Sequence, residues 1–405
     1  MEYRRASYNV GLERPYGTCR MNNLFCMLLF SALVATAGAG QKPTNTDSPI
    51  HLISCSIEKV NQCLAQESAS GYVAIHIATT VMDRPRGTSS PGYGLVRSED
   101  PVLVTRKSDA PKRQTVAIID DLAKRETQLN QAGAAGMRLL PNQIAVLRSW
   151  SGGVSGGGGF GVLRSSRGGV SVDGYAALFE EVTPSTRFEY RIVDIADKAV
   201  SEKLRKLVSE GYRSVAIVAP AILVMERRAG DVSKLDEYRI LQGLYVQHVG
   251  SELTKATVDG FRVATTGAST TGLLTLVLLE HLADDKRKIE YQVFSSYGAR
   301  ELERHLNETT QEGYSPVAGG ILPITTSEGN DRGMTTPPQR VELIVSKTDP
   351  KYAAFKVLNA FGRDLQPTLD AALREGYEFV EFVGVMNENF VILGRQAQSS
   401  AAGKN

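Results

Sequence analysis

Apolar and polar positions along this chain fall into blocks, and one order of blocks keeps returning. Its clearest instance begins with Tyr190-Arg-Ile-Val-Asp-Ile-Ala, whose aromatic and β-branched residues predict a strand. In the next block Val200, Leu204 and Leu207/Val208 recur at three- and four-residue steps and leave Lys203, Arg205 and Lys206 on the wet side, which predicts an amphipathic helix. Gly211 ends that helix, because glycine readily takes the left-handed conformation just past a helix, and Tyr212 can then pack back on Leu207. Two short apolar runs follow, Ser214-Val-Ala-Ile-Val-Ala and Ala221-Ile-Leu-Val-Met-Glu, both read as strands. The unit is therefore β-α-β-β.

The helix stop occurs six times, at Leu64/Gly71-Tyr72, Leu129/Gly136-Met137, Leu204/Gly211-Tyr212, Leu253/Gly260-Phe261, Leu306/Gly313-Tyr314 and Leu369/Gly376-Tyr377. Eleven residues before the glycine stands Val60, Val200, Val249, Leu302 or Leu365, with Arg125 the exception. Self-similarity at this period predicts a repeat architecture. The expected segments are a leader over 1–40, repeats over 41–110, 111–183, 184–230, 231–286, 287–348 and 349–397, and a tail over 398–405. A unit this small buries too little surface to stand alone, so neighbouring units must supply the missing core. Ile192 and Val193 are both apolar although adjacent strand residues face opposite ways, which predicts that each sheet is covered on both faces. The fold class expected is α+β: six tandem β-α-β-β repeats with helices on one face, packed as pairs or as an array. A parallel crossover through the helix and an antiparallel hairpin after it predict mixed sheets.

The first forty residues follow a different rule. Leu24-Phe-Cys-Met-Leu-Leu-Phe-Ser-Ala-Leu-Val-Ala is apolar but short for a bilayer span, and Ala37-Gly38-Ala39 offers a small-residue cleavage site. These features predict a secretory signal and a periplasmic or secreted protein, starting either at Met1 with a long leader or at Met21 with an uncharged one. Removing residues 1–39 takes four of 46 basic and two of 44 acidic residues, leaving 42 of each. A neutral chain argues against a nucleic-acid partner, which usually demands a basic excess or stripe. No other segment has membrane length without charges or turn residues, so no span is expected in the mature chain. Cys55 and Cys63 remain after the leader, and an oxidising compartment favours a disulfide between strand and helix of the first repeat. A zinc site from His51, Cys55, Cys63 and His76 is disfavoured: four strand residues separate His51 from Cys55 by roughly 13 Å at about 3.3 Å per residue.

Candidate chemistry is sparse. Gly153-Val-Ser-Gly-Gly and Gly156-Gly-Gly-Gly-Phe-Gly match a hydrolase elbow and a dinucleotide fingerprint, but both come from one glycine-rich run without the helix those motifs open. No cofactor, metal or catalytic residue is assigned. Glu180, Glu226 and Glu280 recur at third-strand ends and are read as solvated, because the other copies carry Arg106, Lys347 and Arg395 in the matching region. The copies differ most between their second and third strands, where the first, second and fifth carry insertions at about Met82–Glu99, Ser151–Gly174 and Leu322–Arg340. In stacked repeats such insertions tend to share one side and form a binding face; Tyr93, Trp150 and Phe160 are the candidate contacts, and an envelope protein or glycan the candidate partner. The competing expectation is an envelope enzyme whose site lies between repeats.

The sixth copy, with Tyr352, Glu375-Gly-Tyr-Glu-Phe-Val and Phe390-Val-Ile-Leu-Gly-Arg395, resembles a bacterial family of short domains of unknown function. That family runs from a Tyr-led strand and a helix through Glu-Gly-Trp/Tyr to a last strand ending in a basic residue. The resemblance extends over about residues 50–396. It implies the β-α-β-β unit and brings no activity or site residue with it.

Overall fold

A computed structural model describes residues 48–84, 96–110, 112–119, 124–151, 169–182, 185–218, 221–230, 235–243, 246–268, 275–282, 289–325, 339–348, 351–360, 365–385 and 388–396. They belong to one compact unit, Pro43–Asn405. The first repeat contains β1 (Ile50–Ser54), α1 (Val60–Ala69), β2 (Tyr72–Arg84) and β3 (Val96–Lys107); the second β4 (Gln114–Ile119), α2 (Arg125–Ala134), β5 (Met137–Ser151) and β6 (Gly169–Glu181). The third has β7 (Phe188–Asp194), α3 (Val200–Ser209), β8 (Arg213–Val218) and β9 (Ile222–Arg228); the fourth β10 (Leu235–Gly243), α4 (Val246–Val258), β11 (Phe261–Ala268) and β12 (Thr275–Leu282). The fifth has β13 (Tyr291–Ser296), α5 (Ala299–Gln311), β14 (Tyr314–Thr325) and β15 (Gln339–Lys347); the sixth β16 (Tyr352–Asn359), α6 (Leu365–Arg374), β17 (Tyr377–Val385) and β18 (Glu388–Gln396).

All six helix-stop glycines have positive φ, between 81° and 88°. After α3, Gly211 N–H donates to Val208 O at 2.9 Å and Tyr212 N–H to Leu207 O at 3.0 Å, the paired bonds of a Schellman cap. Tyr212 buries its ring among Leu204, Leu207 and Val208.

The sheets are antiparallel rather than mixed, which corrects the sequence expectation. In every repeat the third strand lies in the middle, antiparallel to the first on one side and to the second on the other. First and second strands do run parallel, as a helical crossover demands, but the hairpin partner slots between them and takes both sets of hydrogen bonds. Each second strand also carries an irregularity that begins three residues past the helix-stop glycine. It falls between Ala74/His76, Ser214/Ala216, Val263/Thr265 and Phe379/Glu381, and widens to Leu139/Ile144 and Pro316/Ile321 in the second and fifth repeats.

Six cores lie between successive repeats, each joining the helix-bearing face of one sheet to the bare face of the next. Ile192 packs in the core shared with the second repeat, while its neighbour Val193 packs in the core shared with the fourth. The sixth core joins Leu369, Phe382 and Val391 to Ile50, Val102 and Val104 of the first repeat, so the contacts form a closed cycle. Polar positions on α1, α2, α5 and α6 reinforce four of these junctions. Ten residues before the glycine, Asn61 brackets Val116 N–H and C=O at 2.8 Å each, Glu126 accepts from Ile192 N–H, Glu303 from Val357 N–H, and Gln366 donates to Ile50 O. One helical turn later, Asn130 brackets Tyr190, Asn307 brackets Phe355, and Asp370 accepts from Ser48 Oγ at 2.6 Å. Each first strand is a sheet edge, and in β1, β4, β7 and β16 these side chains satisfy backbone groups that an edge otherwise leaves open.

Candidate functional site

The recurrent tyrosine of the first strand builds a second latch between repeats. Tyr190 Oη accepts from Leu139 N–H at 2.8 Å and donates to Glu226 Oε2 at 3.0 Å, and Arg138 Nε meets Glu226 Oε1 at 2.9 Å. Burial, then the Glu226 charge, raises the Tyr190 hydroxyl well above its ordinary value, so it stays protonated and donates. Glu226 is buried, not solvated as its place at a strand end suggested. Tyr238 and Tyr291 accept in the same way from Ser214 N–H and Val263 N–H, at 2.8 and 2.9 Å. The matching position in the fifth repeat is Pro316, which has no N–H, and the Tyr352 hydroxyl instead meets Lys351 Nζ at 2.6 Å. These groups are consumed by packing.

The strand irregularities bring distant repeats together. Asn142, at φ 58°, lies in the wide interruption of the second repeat, and its Oδ1 accepts from Thr265 Oγ1 of the fourth at 2.8 Å. Gly319, at φ 68°, holds the matching place in the fifth repeat; its carbonyl accepts from Thr266 Oγ1, and a Cβ there would stand 3.4 Å from Asn142 Nδ2. Gln143 Oε1 takes Ile77 N–H of the first repeat at 2.8 Å. Where the cycle closes, His76 Nε2 stands 3.3 Å from Glu381 Oε1 of the sixth repeat. The Glu381 side chain is about a quarter exposed (27%), yet desolvation raises its carboxyl above the usual range against the opposing pull of His76. These polar groups satisfy one another and lock second strands together.

The sequence-predicted residues scatter. Cys55 and Cys63 form a disulfide with Cα atoms 6.6 Å apart, tying the end of β1 to α1. His51 turns instead to Glu67, Nδ1 to Oε2 at 3.0 Å, and His76 to Glu381, so the four members of the disfavoured zinc set divide among three contacts. Among the described residues no group of three or more His, Cys, Asp or Glu side chains is placed to hold a metal ion, and no helix is long and apolar enough to cross a membrane. Tyr93 and Phe160 lie outside the described residues; Trp150 is described by its backbone, within β5.

What the insertions build is an extension of the sheet. β2 and β3 continue as a hairpin to Arg84↔Val96, and β5 and β6 to Ser151↔Gly169. The two hairpins then pair through Val96↔Ser151, Arg97↔Trp150 and Ser98↔Ser149, which fuses the first two sheets into one of six strands. The order within the extension is β2-β3-β5-β6, all antiparallel. It leaves at the ends of β2 and β5 remote from Gly71 and Gly136, so the helix stops and the insertions occupy opposite ends of these repeats. The fifth insertion occupies the same connection, between β14 and β15. No family model, curated protein or solved structure matches this chain.

Proposed function

We propose that this chain is an exported, non-catalytic binding or assembly module of a bacterial envelope, working through the end that carries the insertions and engaging an envelope protein or glycan there. The observation that carries this reading is the paired extension of the first two repeats. Four strands continue past the turns at which neighbouring repeats stop, and they brace one another through the β3–β5 pairs. A bare spacer has no need of such bracing, whereas a presented surface requires it, since function gathers on connections held by a rigid scaffold. The leader over 1–40 supports export, and the neutral balance of the remaining chain supports a partner other than nucleic acid.

The test replaces 85–95, 152–168 and 326–338 with short glycine-serine turns. The expected outcome is an unchanged thermal melt with loss of the interactions the intact chain makes in its native envelope. Interactions and cellular phenotype identical to those of the intact chain overturn the reading.

A further inference from the structure

Among the described residues, a strand place that the repeat symmetry offers in the extension has no partner strand. Beyond its pairing with β1, which ends at Ser54↔Val102, the outer edge of β3 is taken by β5 at Val96, Arg97 and Ser98. Counting from the helix-stop pairs Tyr72↔Lys107 and Met137↔Glu181, the matching residues of β6 are Val170, Ser171 and Val172. Pairing of β6 with β4 ends at Ile119↔Tyr175. The strand that symmetry would bring to this edge is β8 of the third repeat, but β8 turns back at once through Val218↔Ile222 and never reaches it. Among the described residues no strand pairs with β6 on that side between Gly169 and Gly174.

An edge of this kind is a template for another strand, and proteins usually guard it with charge or proline. At the opposite edge of the extension β2 ends in the sequence Asp83-Arg84-Pro85, which holds charge and proline of that kind. The β6 edge, Gly169-Val-Ser-Val-Asp-Gly174, has a single charge and two β-branched residues. It is also self-complementary. Turned antiparallel about Ser171, Val170 meets Val172 of a second copy, Gly169 meets Asp173, and no like charges face each other. A two-fold contact needs that property, because one patch must serve both partners.

We propose that two copies of this chain pair antiparallel through the Val170–Val172 edge of β6, with Ser171 facing its counterpart, so that the two extensions form one continuous sheet. The proposal rests on the reading that the insertion-bearing end is the working one, and it names a second copy as the first partner bound there.

Sedimentation equilibrium on the full chain tests it. The intact chain is expected to show a concentration-dependent dimer. Ser171→Lys and Ser171→Glu each place like charges directly opposite and are expected to weaken that dimer by about tenfold or more. An equimolar mixture of the two variants restores it, and Ser171→Cys yields a disulfide-linked dimer under oxidising conditions. An intact chain that is monomeric throughout, a dimer indifferent to Ser171→Lys, or a Ser171→Cys chain that fails to cross-link overturns the proposal. If the intact chain is monomeric while removing the insertions still abolishes its envelope interactions, self-pairing alone falls. If removing them also changes nothing, both readings fall. A monomer whose envelope interaction is lost on Ser171→Lys places a foreign strand at this edge and likewise rules out the second copy.

Discussion

Replacing Tyr190 by phenylalanine isolates one latch between repeats. The ring volume is kept, so the cost lies in the hydroxyl. That hydroxyl is fully buried and serves two partners, Leu139 N–H at 2.8 Å and Glu226 Oε2 at 3.0 Å. Leu139 is itself fully buried, so its N–H is left without the tyrosine acceptor, at a cost of about 1–3 kcal/mol. Glu226 keeps Arg138 at 2.9 Å but loses a hydrogen bond to its carboxylate, adding about 1–2 kcal/mol. Tyr190→Phe should therefore destabilise the chain by about 2–5 kcal/mol. Tyr238 makes the same backbone bond, but to Ser214, which is half-buried, so Tyr238→Phe should cost about 1–2 kcal/mol. Tyr352 faces Pro316, where no N–H exists to be abandoned, and Tyr352→Phe should cost about 1 kcal/mol or less. Urea unfolding of the three variants, followed by far-ultraviolet circular dichroism with the slope checked for constancy, measures the series. A loss for Tyr352→Phe equal to that for Tyr190→Phe, or a Tyr190→Phe chain as stable as the parent, would refute the reasoning.

Other perturbations separate the remaining forces. A Cβ on Gly133, inside α2, would stand 2.2 Å from Phe188 O of the next repeat, so Gly133→Ala should cost more than Gly376→Ala, which meets nothing within 4 Å and bears only the left-handed strain of about 1 kcal/mol; paired melts check the order. Because burial raises the Glu381 carboxyl in the folded chain, its contribution is fully present below the unfolded carboxylate range and is lost as pH rises through the raised value. Glu381→Gln should accordingly gain stability relative to the parent as pH rises above the ordinary carboxylate range, and a parallel pair of pH–stability curves would contradict this. Reducing Cys55–Cys63, which are eight residues apart, should cost about 2 kcal/mol, visible as a lower melting temperature with reductant that is absent in a Cys55→Ser/Cys63→Ser chain.

The sequence made the repeat visible because its strongest signals are local. A helix stop is decided within a few residues by left-handed glycine geometry and an aromatic latch, so Gly211 and Tyr212 announce it without knowledge of the remainder. Ile192 and Val193 likewise show two covered faces, since the pleat alone fixes their directions. Strand order was not legible: the crossover sets the second strand parallel to the first but does not say whether another strand lies between them. Glu226 misled for a related reason. Its burial depends on Tyr190 and Arg138, which reach it from different strands and different repeats. The polar residues ten and six residues before the glycine did leave a signal in four of the repeats, because Asn61, Glu126, Glu303 and Gln366 share one register and Asn130, Asn307 and Asp370 another. A search confined to apolar positions passes over them.

Cyclic closure also explains where this chain could vary without losing its fold. Four helices, α1, α2, α5 and α6, use polar side chains to hold the start of the next unit, and the sixth does so for the first repeat through Gln366 and Asp370. Both faces of each sheet are then committed, as are the outer edges of β1, β4, β7 and β16 where these side chains reach, which leaves the connections between second and third strands as the part of the unit least constrained by its neighbours. Where a neighbour is short, as β8 is, lengthening those strands creates an edge that no strand among the described residues pairs with. The second repeat has done so at Gly169–Gly174 while the first has its matching edge covered by β5. The proposed interaction surface would follow from two lengthened hairpins standing beside a repeat that was not lengthened, with the latches that hold the cycle together left as they are.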